Sequence, residues 1–197
     1  MPRATRAQSD ATAARVLVTA RALFTEHGYA GVGLETLAAR AGVTRGAVYH
    51  HYGSKLGLFE AVLAAAQRSV ADAIERSAAA AADPWDALES GCRVFLTAAA
   101  AEDTRRIMLI DAPAVLGWNA WRELDAANSA RLLGDVLHEL AAAGVLVPMS
   151  VPAAAALLSG AMNEAALWIA AHDDPAEGIE QAWAVLRRLL RSLRAPG

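Results

Sequence analysis

The feature that most constrains the fold of this chain is a glycine between two short helical patterns, in the segment Leu34–Lys55. Apolar residues recur at helical spacing from Leu34 to Ala41 and predict a first helix with one buried face. Gly42 follows where a helix ends most easily in a left-handed residue, because a side chain there would clash with the backbone. Thr44 is placed to cap a second helix, since its hydroxyl can accept from free backbone N–H groups. Two short helices joined in this way predict a helix-turn-helix.

The second helix of this pair is predicted to present basic and aromatic side chains to solvent. Its exposed residues are Arg45, Tyr49, His50 and His51, whereas Ala47, Val48 and Tyr52 face the core. A helix-turn-helix with such a face is typical of proteins that read DNA. Adjacent histidines point about 100° apart on a helix and do not easily share one ion, so the sequence predicts no metal site and no cofactor. A purely structural surface remains the alternative interpretation.

Charge is distributed unevenly along the chain. Residues 1–59 carry seven Arg or Lys and three Asp or Glu, a balance of +4, whereas the remainder carries 11 and 18, a balance of −7. The overall net charge of −3 argues against a protein that binds polyanions in bulk. A basic module attached to an acidic body instead fits a local nucleic-acid face.

Cysteine content and hydropathy indicate the compartment. The single cysteine, Cys92, excludes an intrachain disulfide. The N-terminal residues lack the apolar core of a signal peptide, and no run of about 18 uninterrupted apolar residues occurs. We therefore expect a cytoplasmic protein with no membrane partner.

The remaining periodicity predicts an all-α fold of about nine helices. We expect a disordered tail over residues 1–8, a DNA-binding domain over 9–55 and a second helical domain over 56–197. Residues 111–117 are predicted as an irregular connection, and residues 118–143 as one long helix. Ser54 and Asp83 are placed as N-caps, and Asp174 with Glu177 has the spacing of a capping box.

The segment Phe24–Leu63 resembles the N-terminal domain of the TetR/AcrR family of bacterial transcriptional regulators. The resemblance lies in Gly28-Tyr29, Ala41-Gly42-Val43, Thr44-Arg45-Gly46, Tyr49-His50-His51-Tyr52 and Ser54-Lys55. It implies a ligand-responsive regulator, most often a repressor, that binds a palindromic DNA operator as a homodimer and is released by a small-molecule effector. Activation remains an open alternative.

The resemblance also implies roles for individual residues. It places Thr44, Arg45, Gly46, Tyr49, His50, His51 and Lys55 at the DNA. Arg45 and His50 would lie near base edges, and Tyr49, His51 and Lys55 at phosphates. Two residues depart from the family pattern: Gly33 stands where Ser or Thr usually caps a helix, and Tyr52 stands where Phe is common.

The effector site is expected in the second domain and is predicted to take an apolar or aromatic molecule. Its candidate residues are Trp85, Phe95, Asp111, Trp118, Trp121, Asn163 and Glu164. Other interpretations stay open for several of them. Asp111 can instead pair with Arg105 or Arg106 to hold the connection, and Asn163 and Glu164 can bond across helices or at a subunit interface.

The last two predicted helices carry more apolar surface than one small domain can cover. We expect them to pair with their copies as a four-helix bundle across a two-fold axis. The candidate interface residues are Leu158, Met162, Trp168, Trp183, Leu186 and Leu190.

Two other classes of function are alternatives to a DNA-binding regulator. A helical interaction protein built on a helix-turn-helix scaffold, not acting through DNA, predicts no salt-sensitive DNA binding. An all-helical enzyme is the other alternative, but the sequence shows no paired carboxylates and no Ser-His-acid set. We therefore do not expect an enzyme.

Overall fold

The computed structural model describes residues 6–196, and these residues form eleven α-helices and one π-helical segment. The helices are α1 (Arg6–Gly31), α2 (Leu34–Arg40), α3 (Arg45–Tyr52), α4 (Lys55–Ala79), α5 (Pro84–Ala100), α6 (Glu102–Arg105), α7 (Ala112–Leu116), α8 (Trp118–Ala126), α9 (Ser129–Ala142), α10 (Val151–Ala170) and α11 (Pro175–Ser192). The π segment, Arg106–Asp111, lies between α6 and α7. The all-α prediction is confirmed.

Helices α1 to α3 pack with the start of α4 around one small core. Its buried residues include Val16, Ala20, Leu23, Phe24, Leu37, Val48, Leu58, Phe59 and Val62. Three aromatic rings close the core, with Tyr29 5.8 Å from Phe24 and 5.0 Å from Phe59 between centroids. Gly28 kinks α1 just before Tyr29, with a φ of 69°, and this kink turns Tyr29 back onto the core.

Helix α1 begins earlier than predicted. Arg6–Gln8 are helical, so the predicted tail extends too far into the chain. The rest of that tail, residues 1–5, lies outside the described residues.

Helix α10 is the central helix of the C-terminal body and packs against α5, α9 and α11. By length and composition it also fits a membrane-spanning helix. In this fold its apolar residues Leu158, Met162, Ala166 and Ile169 are buried inside the protein. Its apolar character is therefore explained, on this face, by packing within the chain.

Residues 111–116 are helical, and the prediction of an irregular connection over 111–117 was wrong except at Gly117. The N–H of Ala112 bonds to the carbonyl of Ile107, five residues earlier. In a regular α-helix the ring of Pro113 would clash with the carbonyl four residues before it. A widened π turn directly before the proline lets the helix continue, and it ends at Gly117, where φ is 80°.

Residues 118–143 form two helices, so the prediction of one long helix was also wrong. The backbone leaves the helical region at Asn128, with φ −117° and ψ −110°. The Asn128 side chain donates to the carbonyl of Leu124 at 2.8 Å. This local bond competes with the helical pattern and separates α8 from α9.

The capping box at α11 forms only in part. Asp174 Oδ1 accepts from the N–H of Ala176 at 2.9 Å, as a cap should. The Glu177 carboxylate accepts from Gln181 instead of returning to Asp174. The N–H of Asp174 donates to His172 Nδ1 at 3.4 Å.

Candidate nucleic-acid interface

The turn between α2 and α3 has the predicted geometry. Gly42 has a φ of 63°, and the N–H of Val43 bonds to the carbonyl of Ala38 at 3.0 Å. Thr44 Oγ1 accepts from the N–H of Ala47 at 3.2 Å and caps α3. At the start of α2, Gly33 makes no side-chain capping bond, as expected for a residue without a side-chain oxygen.

Helix α3 presents Arg45, Tyr49 and His50 to solvent, and His51 is half-buried beside them. The guanidinium of Arg45 donates to Glu35 Oε1 at 3.1 Å and to the Tyr49 hydroxyl at 3.2 Å. It also lies 5.4 Å from the centre of the Tyr49 ring. Arg45 and Tyr49 are therefore held together on the surface before any partner binds.

Gly46 adds open surface to this face. Within residues 6–196 and apart from the backbone of its own helix, a Cβ built at Gly46 would meet only Thr44 Oγ1, at 3.8 Å, which is an ordinary contact. The folded chain itself therefore has no steric need for glycine at this position. The bare backbone leaves room for close approach of another molecule.

Lys55 lies in the first turn of α4, and Ser54 Oγ caps that helix by accepting from Gly57 at 2.9 Å. The Lys55 ammonium lies 4.2 Å from the centre of the Tyr29 ring. Partial burial there lowers the pKa of Lys55. The sequence analysis did not predict this contact between Lys55 and Tyr29.

Two contacts that were not predicted hold α3 in place. A Cβ at Gly57 would lie 2.3 Å from the carbonyl oxygen of Tyr52, so only glycine allows α4 to start this close to the end of α3. The Tyr52 hydroxyl donates to the carbonyl of Ala13 at 2.7 Å. Tyr52 stands where Phe is common in the family, and its additional hydroxyl finds its hydrogen-bond acceptor in the Ala13 carbonyl.

Family models match both parts of the chain. Residues 16–62 match the model of bacterial regulatory proteins of the tetR family, and residues 85–193 match a tetracycline repressor-like C-terminal domain. The chain belongs to the TetR family. A solved TetR-family transcriptional regulator from Pectobacterium atrosepticum is 34% identical, covers 98% of this chain and 99% of its own, and has a TM-score of 0.80.

Curated relatives in the TetR family match over only part of their length. The regulator SrpR of Pseudomonas putida is 42% identical over 67 residues, which is 34% of this chain and 32% of SrpR. The TetC protein of transposon Tn10 from Escherichia coli is 30% identical over 118 residues, 60% of this chain and 58% of TetC. The chain thus spans about a third and just over half of these two relatives.

In this TetR-family chain, the π segment joins the body to the helix-turn-helix unit. The N–H of Tyr29 donates to Asp111 Oδ2 at 2.7 Å. Arg106 Nε lies 3.5 Å from Asp111 Oδ1, and the Arg106 guanidinium occupies the space that a Cβ at Gly28 would need. Asp111 therefore holds this junction through Arg106, as its alternative interpretation allowed, and it lines neither of the two cavities described next.

The other candidate pocket residues are divided among different places. Phe95 lines a small cavity between α4, α5, α9 and α10. Four of them, Trp118, Trp121, Asn163 and Glu164, share a second cavity of about 250 Å³ with Leu109, Pro113, Arg122, Gly160 and Leu167. We call this second space the α8 cavity. Trp85 lines neither; its indole N–H donates to Glu89 at 3.2 Å.

The candidate dimer residues also need correction. Leu158, Met162, Trp183, Leu186 and Leu190 are buried inside the protomer, and Trp168 is the exception at 46% exposed. The exposed apolar residues of α10 and α11 are Leu157, Trp168, Val185 and Leu189. Trp168, Val185 and Leu189 line a groove together with Ala161, Glu164, Ala165, Gln181, Ala182 and the candidate residue Leu186, and we call it the α10–α11 groove. Both helices are apolar on two sides, and the sequence pattern did not separate the inner side from the outer one.

Proposed function

We propose that this protein is a transcriptional regulator that binds a palindromic DNA operator as a dimer and is released by a small-molecule effector. The observation that carries the proposal is the open face of α3, where Arg45, Tyr49 and His50 are exposed on a capped and rigidly packed helix. Repression is the direction that we propose, and a cytoplasmic location follows from action on DNA.

We assign the residues of this face to two kinds of DNA contact. Thr44, Tyr49, His51 and Lys55 contact phosphates and set the position of α3 on the duplex. Arg45 and His50 reach base edges in the major groove, and Arg45 exchanges its bond to Glu35 for one to DNA. Gly46 allows the backbone of α3 to approach the duplex.

Lys55 is suited to a phosphate contact by its place at a helix start. It lies in the first turn of α4, a helix of 25 residues, where the free N–H groups and the helix dipole favour an anion. A lysine there opposes the dipole in the free protein. A bound phosphate would interact favourably with the ammonium and with the helix end together.

The α10–α11 groove is the proposed subunit interface. Val185 is 60% exposed and Leu189 50% exposed, and neighbouring exposed apolar residues of this size indicate a surface that another molecule covers. A second copy of the chain meets that need through two-fold pairing of α10 and α11. A dimer also provides the second α3 that a palindromic site requires.

The junction at the π segment offers a route from effector to DNA. Leu109 belongs to the π segment and lines the α8 cavity, and Asp111, two residues later, holds the N–H of Tyr29. The ammonium group of Lys55 in turn lies against the ring of Tyr29. An effector that prefers a shifted π segment would move the helix-turn-helix units and reduce the population that fits DNA.

Selection of bound DNA from a random-sequence pool tests the proposal. We expect a palindrome whose half-sites are separated by about 34 Å or a multiple of that distance, since each α3 occupies one major groove. Recovery of no motif, together with no salt-dependent DNA binding after unfolding and refolding to remove ligand, would favour the interaction-protein alternative.

A further inference from the structure

We propose that Glu35 limits the affinity of this protein for its operator, because its carboxylate binds the Arg45 guanidinium in the free protein and competes with DNA for it. In the proposed function, on which this inference rests, Arg45 reaches a base edge. Glu35 lies outside the residues assigned to DNA contact, and its role opposes theirs. Removal of its charge should therefore strengthen binding.

Glu35 places a negative charge on a surface that is otherwise basic or neutral. It is the one acidic residue in the segment 34–55, which also carries Arg40, Arg45 and Lys55. The Glu35 side chain is 83% exposed, so it does not belong to the core. A carboxylate on a DNA-binding surface is repelled by the phosphates of the duplex. Glu35 therefore opposes DNA binding.

The carboxylate is bonded to Arg45 across the helix-turn-helix. Glu35 lies in the first turn of α2, and Arg45 is the first residue of α3. Glu35 Oε1 accepts from Arg45 Nη1 at 3.1 Å, and Arg45 Nη2 donates to the Tyr49 hydroxyl at 3.2 Å. The guanidinium is thus held between a carboxylate on α2 and a phenol on its own helix.

The two partners of Arg45 respond differently when DNA arrives. The Tyr49 hydroxyl accepts from Arg45 and keeps its own proton, so it can donate to a phosphate without releasing Arg45. An ionised carboxylate has no proton to donate, and the first helix of a helix-turn-helix crosses the phosphate backbone. DNA therefore repels Glu35 while it attracts Arg45, and the bond between them is the one that is exchanged.

Two-fold pairing on a palindrome increases the size of the effect. The side chains of Arg45 and Glu35 are 54% and 83% exposed, and ion pairs at such exposure change an equilibrium by up to about fivefold. A dimer bound to both half-sites breaks two of these pairs. The effect on operator affinity is then the square of the effect in one subunit, up to about 25-fold.

Glu35→Gln tests the proposal, because it removes the charge and retains a hydrogen-bond acceptor of the same size. Fluorescence anisotropy of a labelled duplex carrying the selected palindrome should show the full-length variant binding about three- to 25-fold more tightly than the native protein. Glu26→Gln removes the same charge from an exposed position of α1. This control should change the affinity by less than about twofold.

A double-mutant cycle assigns the effect to Arg45. In the Arg45→Ala background, Glu35→Gln still relieves repulsion between the carboxylate and the phosphates, but there is no longer a guanidinium for which Glu35 competes. The tightening should therefore be at least about twofold smaller than in the native background. Equal tightening in the two backgrounds would overturn the competition, since repulsion alone would then account for it.

Other contrary results can occur while the protein still selects a palindrome. Weaker binding by Glu35→Gln would mean that Glu35 holds Arg45 in place within the complex, which is the reverse of the proposed role. Unchanged binding would mean that the ion pair does not affect operator affinity. Absence of DNA binding by the native protein and by every variant would instead overturn the proposed function, and the role of Glu35 with it.

Discussion

Gly57 is the residue at which the α3–α4 junction tolerates least change. A Cβ there would lie 2.3 Å from the Tyr52 carbonyl, and a backbone atom cannot move aside as a side chain can. Gly57→Ala should therefore lower the free energy of unfolding by about 1–3 kcal/mol and weaken DNA binding.

Gly134→Ala provides the matched control for this glycine. Gly134 lies inside α9, and in the described part of the chain no atom beyond the backbone of that helix and the two neighbouring residues would be within 4 Å of an added Cβ. Alanine there should raise the free energy of unfolding by about 0.5–1 kcal/mol, because glycine weakens helix interiors. Urea unfolding of the two variants checks both signs, and equal effects would contradict the proposed steric role of Gly57.

Asp125 should give the stability of the protein a definite dependence on pH. Burial raises the pKa of Asp125, against the opposing effects of Ser159, Arg122 and Asn163. The folded state therefore holds this proton more tightly than the unfolded chain, where the pKa is about 3.9. The contribution of Asp125 to stability is greatest below that value, falls as pH rises through the folded pKa, and is constant above it.

Comparison with Asp125→Asn isolates this contribution. The difference in free energy of unfolding, native minus variant, should fall as pH rises from about 4 towards 7. Urea unfolding at a series of pH values measures it. A difference that rises with pH would mean that the ion pair with Arg122 outweighs burial.

At the scale of elements, α3 and the start of α4 should affect DNA binding in different ways. Lys55→Ala removes a proposed phosphate contact, so binding to all sequences should weaken and the salt slope should decrease by about 0.9. Arg45→Ala should instead relax the preference at particular base pairs, at a cost of about 1–3 kcal/mol.

Binding measured at several salt concentrations on the selected site and on altered sites distinguishes these effects. Arg188→Ala removes the same charge from an exposed position of α11 and should change neither the slope nor the preference. Identical behaviour of the Lys55 and Arg45 variants would contradict the division of roles.

Elements with strong local signals could be predicted from the sequence, and the others could not. Thr44, Ser54 and Asp83 cap their helices as expected, because a cap acts within three residues along the chain. The π segment depends on how the chain accommodates Pro113 while Asp111 reaches Tyr29. That arrangement involves residues 82 positions apart, which helical periodicity does not detect.

At the scale of the whole molecule, the α10–α11 groove should control assembly. The double variant Val185→Asp, Leu189→Asp places two carboxylates on the proposed interface, where burying unpaired charges is costly. We expect the dissociation constant of the dimer to rise by at least about 100-fold.

Sedimentation velocity measures the assembly of this variant. Val18→Asp, at an exposed apolar position of α1, is the control and should leave the dimer intact. A dimer that survives the double substitution would place the subunit interface elsewhere on the protein.

The face of α3 could be predicted from the sequence, whereas the cavity and the groove could not. The exposed face of α3 was predicted because Arg45, Tyr49 and His50 follow one another within a single short helix. The cavity and the groove depend on which side of α10 faces inward, and both sides are apolar. Leu158 and Leu157 are neighbours in sequence, yet the first is buried and the second is 75% exposed.

Glu164 belongs to two surfaces at once, since it lines both the α8 cavity and the α10–α11 groove. A dimer formed on that groove brings both copies of this carboxylate to one seam. A molecule in the α8 cavity and a second subunit in the groove would then contact the same side chain, so each should change the affinity of the other. The dissociation constant of the dimer should therefore depend on whether the cavity is occupied, and Glu164→Gln should reduce this dependence.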